Sequence, residues 1–97
     1  MIRHIAMFKF NEDATDEARA ALVESMDMLA AAIPQIVSMR HGADLGFRDG
    51  NFDYAVVVDF DSTDDYRAYS QDPVHQEMIA TRLRPIICER AAIQFRY

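Results

Sequence analysis

The sequence is poor in cysteine and has neither tryptophan nor a long apolar run. Cys88 is the single cysteine, and there is no tryptophan. One thiol excludes an intrachain disulfide and a cysteine-rich metal site. No apolar run approaches the roughly 20 residues of a membrane-spanning helix. No cationic segment after Met1 leads into the apolar core of a signal peptide. We therefore expect a cytoplasmic protein without a membrane partner.

Positive charge is also scarce. The chain carries 10 Lys and Arg against 16 Asp and Glu, a net charge of -6, and the basic residues are scattered along it. Nucleic acids and anionic membranes need a cationic surface, so neither is an expected partner. The composition is otherwise that of a soluble globular protein, with 51% hydrophobic and 27% charged residues. We predict one domain, residues 1–97.

Four segments have the composition of β-strands. We predict strands over residues 2–10, 36–45, 52–60 and 90–97. In the first strand His4, Ala6 and Phe8 share one face, because successive side chains of a strand alternate between faces. The third strand, centred on YAVVV, is the clearest of the four.

Helical patterns separate the strands. The first predicted helix begins at an N-cap, Thr15, and ends near Pro34, because the residue before a proline avoids the helical region. A short helix follows the third strand over residues 62–69. Pro73 then opens a longer helix, which Pro85 kinks or ends.

The order of these elements is β-α-β-β-α-β. This is the ferredoxin-like α+β pattern, a four-stranded antiparallel sheet with helices on one face. The other face of the sheet is also apolar at its centre, where Ile5, Met7, Ala55 and Val57 point away from the predicted helix side. A solvated sheet face is normally polar. We therefore predict a homodimer whose sheets pack face to face into a barrel-like core.

Three side chains are candidates for chemistry. Tyr69 ends the short helix, and His75 stands in the first turn of the next one. The helix dipole disfavours a cationic histidine there, and a neutral imidazole suits a general base near pH 7. His4 points to the same face as the helices. Each residue also has a purely structural interpretation: His4 and Tyr69 as core side chains with satisfied polar atoms, and His75 as a solvated helix-start residue.

Three stretches resemble one known family. They are residues 4–10 (HIAMFKF), 54–60 (YAVVVDF) and 69–76 (YSQDPVHQ). Together, in order and spacing, they resemble the stress-responsive A/B barrel domain (Dabb) family, which belongs to the dimeric α+β barrels. The resemblance extends over nearly the whole chain and implies the same dimeric fold.

The resemblance also implies a site. The useful template is the family's plant polyketide cyclase, which forms olivetolic acid by an aldol-type cyclisation. Carried over to this sequence, Tyr69 and His75 become the catalytic pair, and His4 lines the cavity. The implied apolar pocket consists of Phe8, Leu22, Met26, Val56, Val58, Met78 and Ile79. The template has bulkier aromatic residues where this chain has Leu22, Val23 and Met26, so the resemblance does not identify the substrate.

Three functions are consistent with these features. The first is a cofactor-independent cyclase, isomerase or lyase acting on a small apolar carbonyl compound, with neither cofactor nor metal, in which His75 removes a proton and Tyr69 binds the oxygen. The second is a non-catalytic, stress-related oligomer or ligand-binding protein in which a Tyr69–His75 hydrogen bond fixes the helix break. The third is a monooxygenase or haem-handling protein, which the related barrels suggest, with His75 as axial ligand.

Overall fold

The computed structural model describes residues 1–97. The strands are β1 (Ile2–Phe10), β2 (Ser38–Ala43), β3 (Tyr54–Phe60) and β4 (Ile87–Arg96), and the helices are α1 (Asp16–Ala32), α2 (Thr63–Gln71) and α3 (Pro73–Met78). One π-helical turn (Ile79–Leu83) and one 3₁₀ turn (Arg84–Ile86) follow α3. No helix combines the length and apolar character needed to cross a lipid bilayer.

The four strands form one antiparallel sheet in the order β2-β3-β1-β4. This is the ferredoxin-like α+β fold predicted from the order of elements. The register places His4 of β1 between Val58 of β3 and Gln94 of β4. Because β1 is central, its helix-side residues lie beneath the helices, and His4 and Ala6 are buried.

Side chains at the helix starts fix where each helix begins. The hydroxyl of Thr15 accepts a hydrogen bond from the Ala18 amide, as expected of an N-cap. The Ser62 hydroxyl caps α2, and the Asp72 carboxylate accepts from the Val74 amide at the start of α3. Asp72 therefore terminates α2 and initiates α3, and the chain turns sharply there.

The helices cover one face of the sheet. One row of α1 residues packs against the alternate, inward residues of β1 and β3. The fully buried large side chains of this core are Leu22, Met26, Leu29, Ile33, Val58 and Phe60. The remaining face of the sheet, which we call the open face, carries no helix.

The centre of the open face is apolar. Ile5 of β1 pairs with Val57 on one side and Ile93 on the other, and Ile93 is 59% exposed. At one end Arg3 forms a two-pronged ion pair with Asp59, with nitrogen–oxygen distances of 2.8 and 3.0 Å. The hydrogen bond from Arg3 lowers the pKa of Asp59 to about 2. This carboxylate is thus held in its charged form on the face.

The predicted longer helix after Pro73 forms as a continuous run of helical turns to Ile86, but it is not one regular α-helix. The α-helix contains only 6 residues, and the chain then widens into the π turn, in which the Arg84 amide donates to the Ile79 carbonyl. Pro85 has no amide hydrogen, and in a regular helix its ring would collide with the Thr81 carbonyl. The wider turn avoids that collision. The last strand also begins three residues earlier than predicted, at Ile87.

Candidate functional site

A cavity of about 200 Å³ lies between the sheet and the helices. All four strands and the three helices contribute to it. Its lining residues are His4, Ala6, Phe8, Met26, Leu29, Met39, Val56, Tyr66, Tyr69, Ser70, His75, Met78, Ile79, Leu83 and Arg90. Most of this lining is apolar, and the polar groups concentrate near the junction of α2 and α3.

That junction brings Tyr69 and His75 together. Tyr69 lies in the last turn of α2 and His75 in the first turn of α3, with Pro73 forcing the chain to reset between them. Their ring centroids are 4.1 Å apart, with 36° between the ring planes. The rings therefore stack at a tilt, and no hydrogen bond joins the Tyr69 hydroxyl to the imidazole. The hydrogen bond expected of a purely structural pair is not formed.

The imidazole of His75 is neutral at pH 7. Burial lowers its pKa, and the charge of Arg90 lowers it further, although the Ser70 carbonyl and Asp72 act in the opposite direction. The ring is 9% exposed, and its Nδ1 atom is buried without a hydrogen-bond partner. With the ring proton on Nδ1, Nε2 is free to accept a proton from a ligand. A neutral, partly desolvated imidazole is a competent general base.

The hydroxyl of Tyr69 is a hydrogen-bond donor over the whole physiological range. Burial raises its pKa to about 12, and the neighbouring Tyr66 adds to the effect. The side chain is 3% exposed and its hydroxyl makes no hydrogen bond within the chain. A protonated phenol inside an apolar cavity can stabilise a carbonyl oxygen that gains negative charge.

His4 is the third polar side chain at this end of the cavity. Its ring centroid is 6.1 Å from that of Tyr69 and 5.4 Å from that of Tyr66. Burial lowers the pKa of His4 to about 4, so the ring is neutral at pH 7. The Gln94 amide nitrogen lies 2.9 Å from Nδ1. With Gln94 donating, the neutral ring carries its proton on Nε2 and can itself donate from that atom.

Comparison with protein families gives a match to the model for the stress responsive A/B barrel domain, over residues 2–96. The chain belongs to this family. Comparison with curated proteins gives no match.

Solved structures of other proteins share the fold. A dimeric ferredoxin-like protein of unknown function from Thermobifida fusca is 40% identical, with a TM-score of 0.89, covering 97% of this chain and 88% of that one. A hydroxynitrile lyase from Passiflora edulis is 19% identical, with a TM-score of 0.85 and coverage of 97% and 90%. SnoaB, a cofactor-independent oxygenase from Streptomyces nogalater, is 18% identical, with a TM-score of 0.74 and coverage of 99% and 91%. The last two show similarity of fold alone.

In this Dabb protein the structure brings most of the predicted site residues to one cavity. The three catalytic candidates, His4, Tyr69 and His75, all line it. So do five of the predicted pocket residues: Phe8, Met26, Val56, Met78 and Ile79. Leu22 and Val58 are not part of this lining, and both are fully buried in the core, at 0% exposure. Leu22 lies one turn before Met26, where α1 is already closed against the sheet.

The sequence interpretation missed Arg90 and Tyr66. Both line the cavity of this Dabb domain. Tyr66 lies three residues before Tyr69 in α2, and that helical spacing was an available signal. Arg90 pairs with Phe8 across β1 and β4, so it shares the inward face of Phe8. That position follows from the strand register, which the sequence does not provide.

His41 forms a second polar cluster outside the cavity. Its Nδ1 lies 2.6 Å from the Tyr54 hydroxyl, and its Nε2 lies 2.6 Å from an Asp27 oxygen. The chain of contacts ties α1 to β2 and β3. No group of three His, Cys, Asp or Glu side chains in this Dabb domain is arranged to hold a metal ion.

Proposed function

We propose that this protein is a cofactor-independent enzyme that removes a proton from carbon next to a carbonyl group. The supporting observation is the neutral His75 imidazole stacked on the Tyr69 phenol inside an apolar cavity. One group can accept a proton while the other donates a hydrogen bond. A cyclase, an isomerase and a lyase acting on a carbonyl compound can all use this pair.

The proposed reaction places negative charge on the carbonyl oxygen of the substrate. His75 Nε2 takes the proton, and the electrons of the C–H bond move toward the carbonyl, which becomes an enolate. The Tyr69 hydroxyl donates to that enolate oxygen, and interactions that strengthen as charge develops lower the barrier. His4 donates from Nε2 and orients the substrate. The enolate then reacts in one of three ways: it attacks a second carbonyl as in a cyclase, is reprotonated at a different atom as in an isomerase, or expels a leaving group as in a lyase. In each case His75 returns its proton to the product or the leaving group.

The cavity limits the substrate. A volume of about 200 Å³ admits a small molecule. The methionine and aliphatic side chains around it, including Met26, Met39 and Met78, suit an apolar chain attached to the carbonyl group. A short, polyketide-like ketone or diketone fits these requirements.

We also infer that the protein is a homodimer through the open face. The apolar row Ile5, Val57 and Ile93 lies there, and an exposed apolar surface of this kind typically marks an interface. A shallow depression on the same face is lined in part by Met7 and Phe47, and Phe47 is 82% exposed. The Thermobifida fusca relative is described as dimeric. A second copy would bury both features.

Deuterium exchange tests the proposed chemistry without knowledge of the natural substrate. Ethyl acetoacetate in heavy water exchanges the hydrogens between its two carbonyls, and NMR measures the rate above the buffer background. We expect the wild-type protein to accelerate this exchange and His75→Phe to abolish the acceleration. Val74→Ala, one residue away and exposed, is the matched control and should behave as wild type. Equal exchange in the wild-type and His75→Phe proteins would contradict the proposal.

A further inference from the structure

Arg90 is the one side chain with a fixed charge in the cavity lining. The chain has 16 acidic residues against 10 basic ones, yet no Asp or Glu lines this cavity. The local charge thus has the opposite sign to that of the whole protein. Arg90 is an exposed residue, and a positive group at the opening of an apolar cavity whose lining has no acidic residue attracts an anionic ligand.

The strand register directs Arg90 to this place. It lies opposite Phe8, whose side chain is 2% exposed beneath the helices, and so it points to the same side of the sheet. Arg90 also lines the outer groove formed by Gln76, Ile79 and Leu83. It therefore lies where the cavity opens to solvent, with access to both.

The guanidinium has no partner within the chain. Unlike Arg3, which is paired with Asp59, Arg90 makes no ion pair or side-chain hydrogen bond. Its donors are free to form two parallel hydrogen bonds to a carboxylate, the geometry that a guanidinium favours. The positive charge of Arg90 acts on the site, since it lowers the pKa of His4, Tyr69 and His75.

We propose that Arg90 binds the carboxylate of the ligand at the mouth of the cavity, which makes the substrate a small keto acid. The carboxylate pairs with Arg90, the apolar chain lies among the methionines, and the ketone lies near Tyr69. The ketone's position rests on the function proposed above, whereas the carboxylate site does not depend on catalysis.

Binding of hexanoate and hexanamide tests this site directly. The two probes share one apolar chain and differ in charge. We expect NMR titration to show hexanoate binding to the wild-type protein about tenfold more tightly than hexanamide, the value of one charge-assisted contact. Arg90→Gln should weaken hexanoate to the level of hexanamide and leave hexanamide unchanged. Arg84→Gln removes an exposed arginine that lines only the outer groove, so it should behave as wild type.

A second readout separates binding at Arg90 from a general loss of structure. Hexanoate should raise the pKa of His75 in the wild-type protein, because the carboxylate offsets the charge of Arg90, and should not do so in Arg90→Gln. Equal affinity of the wild-type protein for both probes, or an unchanged hexanoate affinity in Arg90→Gln, would overturn the proposal. Arg90-dependent hexanoate binding without catalysed deuterium exchange would refute the proposed enzyme and leave this site standing. Catalysed exchange without a preference for hexanoate would refute the Arg90 site and leave the proposed enzyme standing.

Discussion

The rings of Tyr69 and His75 stack at a tilt with their centroids 4.1 Å apart, and no hydrogen bond joins the two side chains. Stacking leaves the hydroxyl and the free ring nitrogen available to a third molecule. A hydrogen bond would have occupied both groups, as a purely structural helix junction requires. The pair is therefore arranged as two independent polar groups held by apolar contact, which is what acid and base catalysis of one step needs.

Tyr69→Phe separates the two roles of the tyrosine. The variant keeps the ring that stacks on His75 and loses only the hydroxyl that donates to the enolate. We expect deuterium exchange of ethyl acetoacetate to slow by about a hundredfold, as for loss of one oxyanion donor. The melting temperature should change little, because the hydroxyl has no partner in the chain. Unchanged exchange in a folded variant would remove Tyr69 from the mechanism.

His75→Phe is expected to stabilise the fold while it abolishes exchange. No hydrogen bond of ordinary geometry reaches the buried Nδ1 atom, although the Ser70 carbonyl acts on the ring, and a buried polar atom in that position costs free energy. Phenylalanine preserves the stack on Tyr69 and removes that cost, so we expect the free energy of unfolding to rise by about 1 kcal/mol. In a domain of this size that corresponds to a rise of roughly 4–8 °C in Tm, which calorimetry measures. A substantial fall in Tm would instead show that His75 has a structural role.

Local signals in the sequence predicted most of this fold. The cap at Thr15 and the end signal at Pro34 both lie within or beside one segment, and α1 formed as expected. The alternation in β1 correctly placed His4 and Phe8 on the helix side. These features depend on residues close together in the chain.

Features that depend on distant packing were not predictable. Leu22 and Met26 lie on the same side of α1, and only the docked sheet determines that the cavity begins at Met26. The π turn after Met78 depends on how the chain accommodates Pro85. Arg90 was predicted as the first residue of the last strand, but that strand begins at Ile87, and its pairing with β1 decides where the arginine points.

His4 makes the stability of the fold depend on pH. Its pKa is about 4 in the folded chain, against 6.5 for an unperturbed histidine. The unfolded chain therefore binds the proton more readily, and stability should fall as the pH drops from about 6.5 toward 4. Urea unfolding across this range measures the slope, and His4→Phe should reduce it. A slope unchanged by that substitution would show that His4 is not responsible.

The open face should determine the oligomeric state. Ile93→Asp places a charge in the centre of the apolar row on β4, and we expect sedimentation to show monomers in place of dimers. Met28→Asp is the matched control, because Met28 is similarly exposed, at 63%, but lies on α1 away from this face. Dissociation by Met28→Asp, with Ile93→Asp still dimeric, would place the interface on the helix side.

The pH dependence of deuterium exchange is the decisive test of His75 as the base, because it reports the protonation state of that base while it acts. If neutral His75 is that base, the wild-type exchange rate above background should rise with pH through an apparent pKa below 6.5 and level off by neutral pH. NMR titration of His75 should give the same pKa. Exchange that never exceeds the buffer background, or that follows a group with a pKa different from that of His75, would contradict the account.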